Sequence, residues 1–176
     1  MVAKFYNFKS NFKKLKIKNF VDIKGVIKSR FFPKNFATNK NFKYKAVFGI
    51  GGNIGDCEKR FKKLIRVFLN DKRFLVNKTS KIIKNKAFGY TNQNDFFNAA
   101  ILIQTSQNSK NLLKIMLNYE KKFGRKRSFK NAPRTLDLDF LLFSGKNLNS
   151  KRLRLPHYGI SSRVSVIFPL KDLKII

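Results

Sequence analysis

Apolar and polar positions along this chain follow two periods, and each period marks an element. Ala46, Val47, Phe48 and Ile50 form a short apolar run that predicts a strand. Gly51-Gly52-Asn53-Ile54-Gly55 predicts a tight turn, because glycine and asparagine tolerate positive φ. Asp56 stands at a helix N-cap, and Phe61, Leu64, Ile65, Phe68 and Leu69 recur at the spacing of one helical face. Asn70-Asp71 ends that helix. Residues 74–83 predict a strand, 84–95 a polar loop around Gly89, and 96–104 a further strand. Residues 111–123 predict a second helix, with Leu112, Leu113, Met116, Leu117 and Glu120 in period and Asn108 or Ser109 as its cap. Residues 136–143 predict a last strand. Strand, helix, two strands, helix, strand is a split βαβ order. It predicts an α+β fold, an antiparallel sheet with helices packed on its faces.

Residues 1–45 show neither period. They hold twelve Lys, one Arg and a single acid, Asp22, interleaved with Phe5, Tyr6, Phe8, Phe12, Phe31 and Phe32. Phe20-Val21-Asp22-Ile23-Lys24-Gly25-Val26-Ile27 is compatible with a short strand or a helical turn. The stretch is expected to be a loosely ordered basic extension of unknown role, dispensable for activity, ahead of a domain at 46–176. Its functional version would be an arm for nucleic acid or a membrane surface.

Composition narrows the function classes. With 43% apolar residues the chain can bury a core. No window approaches the roughly 18 uninterrupted apolar residues of a spanning helix, so no membrane partner is expected. Cys57 is the only cysteine, which excludes an internal disulfide and fits a reducing, cytoplasmic compartment. One His and nine acids exclude a His/Cys zinc site within one chain. The net charge of +31 points to a polyanion. Its competitor is a Lys-rich composition spread over the whole chain with no partner attached. The ten Arg escape that explanation, because several cluster.

Three groups bear on chemistry. Gly49, Gly51 and Gly55 follow a strand and open a helix, but their spacing is not the dinucleotide fingerprint, and no P-loop motif is present. Asp137 and Asp139 lie two apart on a strand and so point to one face, with Leu136, Leu138 and Phe140 on the other. Two carboxylates about 7 Å apart repel unless a cation lies between them. Mg²⁺ takes one or two carboxylates and leaves positions for phosphate oxygens. Arg125, Arg127 and Arg134 precede that pair, and Arg152, Arg154 and Arg163 follow it. Guanidinium forks grip phosphate bidentately. Carboxylates for a metal beside arginines for phosphate are the equipment of phosphoryl transfer. His157 is a further phosphate donor in that setting.

The segment Lys130-Asn131-Ala132-Pro133-Arg134-Thr135-Leu136-Asp137-Leu138-Asp139 resembles the signature of the 6-hydroxymethyl-7,8-dihydropterin pyrophosphokinases of folate synthesis. Gly51-Gly52-Asn53-Ile54-Gly55-Asp56, Asp95-Phe96-Phe97-Asn98-Ala99-Ala100, Glu120 with Gly124-Arg125 and Arg127, and Leu155-Pro156-His157-Tyr158 with Arg163 resemble other parts of that family in the same order. The resemblance implies a ferredoxin-like fold and transfer of pyrophosphate from ATP to the pterin hydroxymethyl group, with release of AMP. It implies that Asp137 and Asp139 hold two Mg²⁺ ions and that Arg125 and Arg134 act on the triphosphate. Arg127, Arg152, His157, Tyr158 and Arg163 would bind ATP. Asn53, Gly89, Phe96 and Asn98 would form or support the pterin pocket. A monomer is expected, with nucleic acid as a partner only through the basic extension.

The chain departs from the family pattern at several positions, chiefly the pterin walls. Asn131 and Ala132 replace a usual Trp-Gly of the catalytic loop, Leu117 a Gln that usually contacts nucleotide, Asn85-Lys86 a Thr-Pro that opens the pterin loop, Phe96 a Tyr, and Ser165 an aromatic. The alternative reading is a basic ferredoxin-like RNA-binding module, which needs aromatics exposed on the central strands.

Overall fold

The computed structural model describes residues 22–39, 41–144 and 146–176. The basic stretch 1–21 lies outside them. Strands β1 (Ile23–Ile27), β2 (Lys34–Asn35), β3 (Tyr44–Gly52), β4 (Phe74–Thr79), β5 (Ile82–Asn85), β6 (Phe96–Thr105) and β7 (Asp137–Phe143) form one antiparallel sheet. Helices α1 (Cys57–Leu69) and α2 (Ser109–Lys122) cover one face, and α3 (Val164–Asp172) packs on the other. A small hairpin of β8 (Leu148–Asn149) and β9 (Arg154–Leu155) follows β7. The fold is α+β, as the periodicity predicts. No described helix is long and apolar enough to cross a membrane.

Alternation along β3 explains its central place. Ala46, Phe48 and Ile50 enter the core beneath α1 and α2, while Val47 enters the core beneath α3. The pattern is apolar on both sides because both sides are covered. β3 pairs with β6 on one edge and β7 on the other. β4 and β5 pair with successive stretches of β6, so the strand predicted over 74–83 runs on to Asn85 with an interruption at Ser80 and Lys81.

The helices obey their caps. The Asp56 carboxylate accepts from the Lys59 N–H, and Cys57, Phe61, Leu64, Ile65 and Phe68 form the buried face of α1. Asn108 caps α2 by accepting from the Asn111 N–H. The buried face of α2 is Leu112, Ile115, Met116, Tyr119 and Glu120. It is rotated from the predicted one: Leu117 is exposed and Leu113 only partly buried.

Two expectations need correction. Gly51 and Gly52 continue β3 rather than forming a turn, and in that segment only Gly55 has positive φ. A Cβ at Gly52 would lie 2.5 Å from the Thr135 carbonyl oxygen, so close approach of backbone explains this glycine. The second half of the basic extension is also not loose. β1 pairs with β5 and β2 with β4, adding an edge to the sheet. Phe31 and Phe32 join the main core, and the Phe32 ring lies 6.1 Å from that of Phe61 on α1.

The RNA-module alternative requires an open sheet face. Here Val166, Leu170 and Leu173 of the α3 region pack onto Val47, Ala100, Leu141 and Leu142, which closes part of that face. The part left open, beside the N-terminus of α3, is a cleft.

Candidate active site

The cleft has a volume of about 430 Å³. Its floor is the sheet itself. Gly49 on β3 lies opposite Asp139 on β7, and Gly51 lies between Asp137 on β7 and Asn98 on β6. A Cβ at Gly51 would come within 3.1 Å of Asn98 Oδ1. The two glycines therefore leave the floor bare, and Asp137, Asp139 and Asn98 stand around an open strip. Leu136, Leu138 and Phe140 are buried on the opposite side, as the alternation predicts.

The two aspartates differ in environment. Asp137 is neutralised on both oxygens: Arg125 Nη1 donates to Oδ1, and Arg134 Nη1 donates to Oδ2 at 2.5 Å. Burial opposes its ionisation, but the two guanidinium charges prevail and hold its carboxyl below the usual range. The Asp139 carboxylate makes no hydrogen bond or ion pair among the described residues. Burial, with the charge of Asp137 next, pushes its carboxyl up to about 7. A buried carboxylate short of a counter-charge beside an ionised one fits a cation. Among the described residues no cluster of three His, Cys, Asp or Glu side chains could hold a metal. Two carboxylates alone suit Mg²⁺, whose remaining positions go to water and phosphate.

Glu120 joins helix to strand. Its Oε1 accepts from Arg125 Nη1 (2.7 Å) and from the Leu138 N–H (2.8 Å), and its Oε2 accepts from Arg127 Nη2 (3.0 Å). Burial raises its pKa, while the Leu138 N–H and the Arg125 charge favour the ionised form. A Glu in register with core positions of an amphipathic helix is the sequence signal for this buried anchor. It fixes the start of the loop over 123–136, which carries Arg125, Arg127 and Arg134 (the arginine loop), to β7.

The far wall comes from the segment after β9. The Leu155–Pro156 peptide is cis, and His157 Nδ1 accepts from the Gly159 N–H (3.1 Å). The neutral ring thus carries its proton on Nε2. Burial and the Arg163 charge lower its pKa, which favours that neutral form. The Arg163 guanidinium stacks on Tyr158 (4.7 Å) and on Phe88 (4.4 Å), and Nη2 donates to the Tyr158 hydroxyl. Across the cleft the Arg134 guanidinium lies 5.3 Å from the Phe96 ring centre.

The sequence profile of the family 7,8-dihydro-6-hydroxymethylpterin-pyrophosphokinase (HPPK) matches residues 47–175. The chain belongs to this family. It is 52% identical over 148 residues to a 2-amino-4-hydroxy-6-hydroxymethyldihydropteridine pyrophosphokinase of Campylobacter jejuni, covering 84% of this chain and 94% of that one. It is 38% identical over 147 residues to the protein of that name from Helicobacter pylori, covering 82% and 90%. A Bacillus subtilis protein of the same name is 34% identical over 128 residues, covering 73% and 77%.

The residues that the family resemblance singles out converge. Arg125, Arg127, Arg134, Asp137, Asp139, Arg152, His157, Tyr158, Arg163, Phe96 and Asn98 all line the cleft. Asn53 and Gly89 do not. Asn53 is buried and fully engaged: its Nδ2 donates to Gln93 Oε1 and the Asn94 carbonyl, and its Oδ1 accepts from the Arg134 N–H. It is a brace between two loops. Gly89 has positive φ, and a Cβ there would collide with the Asn131 amide. Its place is the contact between the 86–95 loop and the arginine loop.

Residues outside the expected binding set line the cleft as well. Phe88 is an exposed aromatic in a polar loop beside Gly89, which is its only sequence signal. Ser165 lines the cleft where the family has an aromatic, and Leu117 lines it because α2 is rotated from the predicted face. Arg154 lines it too, from β9.

Proposed function

We propose that this cleft binds ATP and 6-hydroxymethyl-7,8-dihydropterin and moves the β,γ-pyrophosphate of ATP onto the pterin hydroxymethyl oxygen. The enzyme is a pyrophosphokinase of folate biosynthesis, as its family membership and relatives indicate. The hydroxyl oxygen attacks the β-phosphorus and loses its proton to water, the bond from the β-phosphorus to the α-phosphate oxygen breaks, and AMP leaves with that oxygen. The observation that carries this reading is one open strip of sheet bordered by two carboxylates, a ring of arginines and the Phe96–Asn98 edge.

The residues divide the work by chemistry. Asp137 and Asp139 would hold Mg²⁺, two ions in this reading, which when bound neutralise phosphate charge. Arg125 and Arg134 are paired with Asp137 in the free enzyme. On binding they would transfer to phosphate oxygens, so the charge that now balances Asp137 comes to balance the charge developing in transfer. Neutral His157 would donate its Nε2 proton to a phosphate oxygen. Arg127, Arg152, Tyr158 and Arg163 would border the nucleotide. Phe96 would stack on the flat pterin, and Asn98, held by donating to Asn85 Oδ1 (2.8 Å), would hydrogen-bond its edge. The arrangement acts by positioning and fixed charge.

The frame supports a ferredoxin-like reading. Within it the order β7-β3-β6-β4, with β6 antiparallel to its neighbours and β7 antiparallel to β3, fits the split βαβ pattern. The reading includes a cytoplasmic monomer, since one chain supplies the whole cleft and Cys57 is a free, buried thiol.

The test is AMP formation from ATP and Mg²⁺ with and without the pterin. AMP that forms only when the pterin is present is the expected result. ATP binding without pterin-dependent turnover would sink the proposal.

A further inference from the structure

The 86–95 loop enters the cleft through Lys86 and Phe88 and touches the arginine loop through Gly89, Tyr90 and Gln93. Both of its ends are tied to a short piece of chain that lies ahead of the family match at 47–175. At the start of the loop the Lys86 N–H donates to the Asp22 carbonyl (3.3 Å). At its end the Lys24 Nζ donates to both oxygens of Asp95, at 2.8 and 2.9 Å. Between these ties β1 pairs with β5 in antiparallel register, Ile23 opposite Asn85 and Val26 opposite Ile83. Asn85 is the residue whose Oδ1 orients Asn98, and Asp95 directly precedes Phe96.

We infer that Lys24 is a positioning residue for the pterin side of the cleft, fixing the Asp95 anchor from which Phe96 and Asn98 are presented. The alternative partner for Asp95 is weaker, since Lys84 Nζ stands 3.9 Å away. The Lys24 side chain is 46% exposed, so the pair contributes little to global stability. Its effect is local: it closes the base of the loop next to Asn85, Phe96 and Asn98, away from the loop tip at Phe88 and Gly89. Residues 22–27 thus act as an added edge that sets loop geometry.

The kinetic part of this inference rests on the pyrophosphokinase reading, so a second readout is needed that does not. Lys24→Met keeps the aliphatic stem and removes the charge, and Lys24→Arg restores a donor. For Lys24→Met the expected result is a KM for the pterin roughly three- to fivefold higher, the range open to a part-exposed ion pair. The KM for ATP, kcat and Tm should stay at wild-type values, and Lys24→Arg should recover the pterin KM. Amide hydrogen exchange in the ligand-free protein should be faster over 86–95 and at the start of β6, and unchanged in α1. Wild-type exchange over 86–95 in Lys24→Met would overturn the inference, whatever the activity of the enzyme. So would equal rises in both KM values with a fall in Tm, which would mark a global loss. If the wild type shows no turnover, the functional reading fails and the exchange measurement alone decides this one.

Discussion

In the proposed reading Asp139 is the residue on which the chemistry turns. Asp137 has two arginines in the free enzyme, while Asp139 has no partner among the described residues and a carboxyl raised to about 7. A group placed so has no structural reason to be Asp, since Asn or Ser would occupy the same strand position at lower electrostatic cost. Asp139→Asn is therefore expected to keep the fold and its Tm. It should lower kcat/KM by several orders of magnitude, because a lost metal ligand removes several kcal/mol of transition-state stabilisation. Steady-state assay at saturating Mg²⁺, with circular dichroism as the check on folding, measures both. A folded variant turning over near the wild-type rate would mean that Asp139 holds no cation. This residue was legible from alternation alone. The double pairing of Asp137 was not, because nothing in residue spacing tells whether an arginine of a loop faces a carboxylate or solvent.

At the scale of elements, the joint between α1, β4 and α2 carries its own ion network. Asp71, where the sequence shows only a helix-ending Asn-Asp, accepts from Arg73 Nε (2.9 Å) and Nη2 (2.6 Å) and from the Tyr119 hydroxyl (2.6 Å). Burial opposes ionisation of Asp71, but the hydrogen bonds from Arg73 and Tyr119 outweigh it and lower its carboxyl to about 2. A carboxyl depressed in the folded state stabilises above its unfolded value near 4, and that contribution disappears as pH falls through about 2. Tyr119→Phe is expected to cost about 1 kcal/mol at neutral pH. The deficit should shrink between pH 4 and 2, as read from urea unfolding at several pH values. A deficit constant across that range would show that Tyr119 acts by packing on Phe68 and Phe74 alone. Elements with strong period were legible: β3, α1 and β7 lie within a residue or two of expectation. α3 escaped notice because it is nine residues long with Pro169 inside it. β1 is legible only as a short strand or a helical turn, because an edge strand alternates half-buried residues with exposed ones, so Lys and Gly dilute the signal.

For the whole molecule, the consequence concerns where the folding unit begins. The sequence suggests that residues 1–44 are dispensable, because the family motifs lie beyond them. The structure corrects that for the second half of the stretch: Phe31 and Phe32 complete the main core, and β1 and β2 cover the outer edge of β4 and β5. A chain beginning at residue 45 is expected to lose stability and activity together. The point variant Phe32→Ala should cost about 3–5 kcal/mol on its own, as for other buried aromatics. Thermal unfolding of both, beside a chain beginning at residue 22, tests this. A chain from residue 45 with wild-type Tm would show that the added edge is ornamental. The aromatic interleaving of the basic stretch gave no period by which Phe31 and Phe32 could be told from exposed neighbours. Their burial follows from a fold that only tertiary packing supplies.

In the proposed reading the cleft moves two phosphoryl groups as one unit, and ³¹P NMR reads that directly. With ATP, Mg²⁺ and 6-hydroxymethyl-7,8-dihydropterin, the ATP resonances should give way to AMP in equal amount to a coupled pair of signals from pterin-bound diphosphate. Appearance of ADP with a pterin monophosphate, or of free pyrophosphate or inorganic phosphate with the pterin unchanged, would contradict the account.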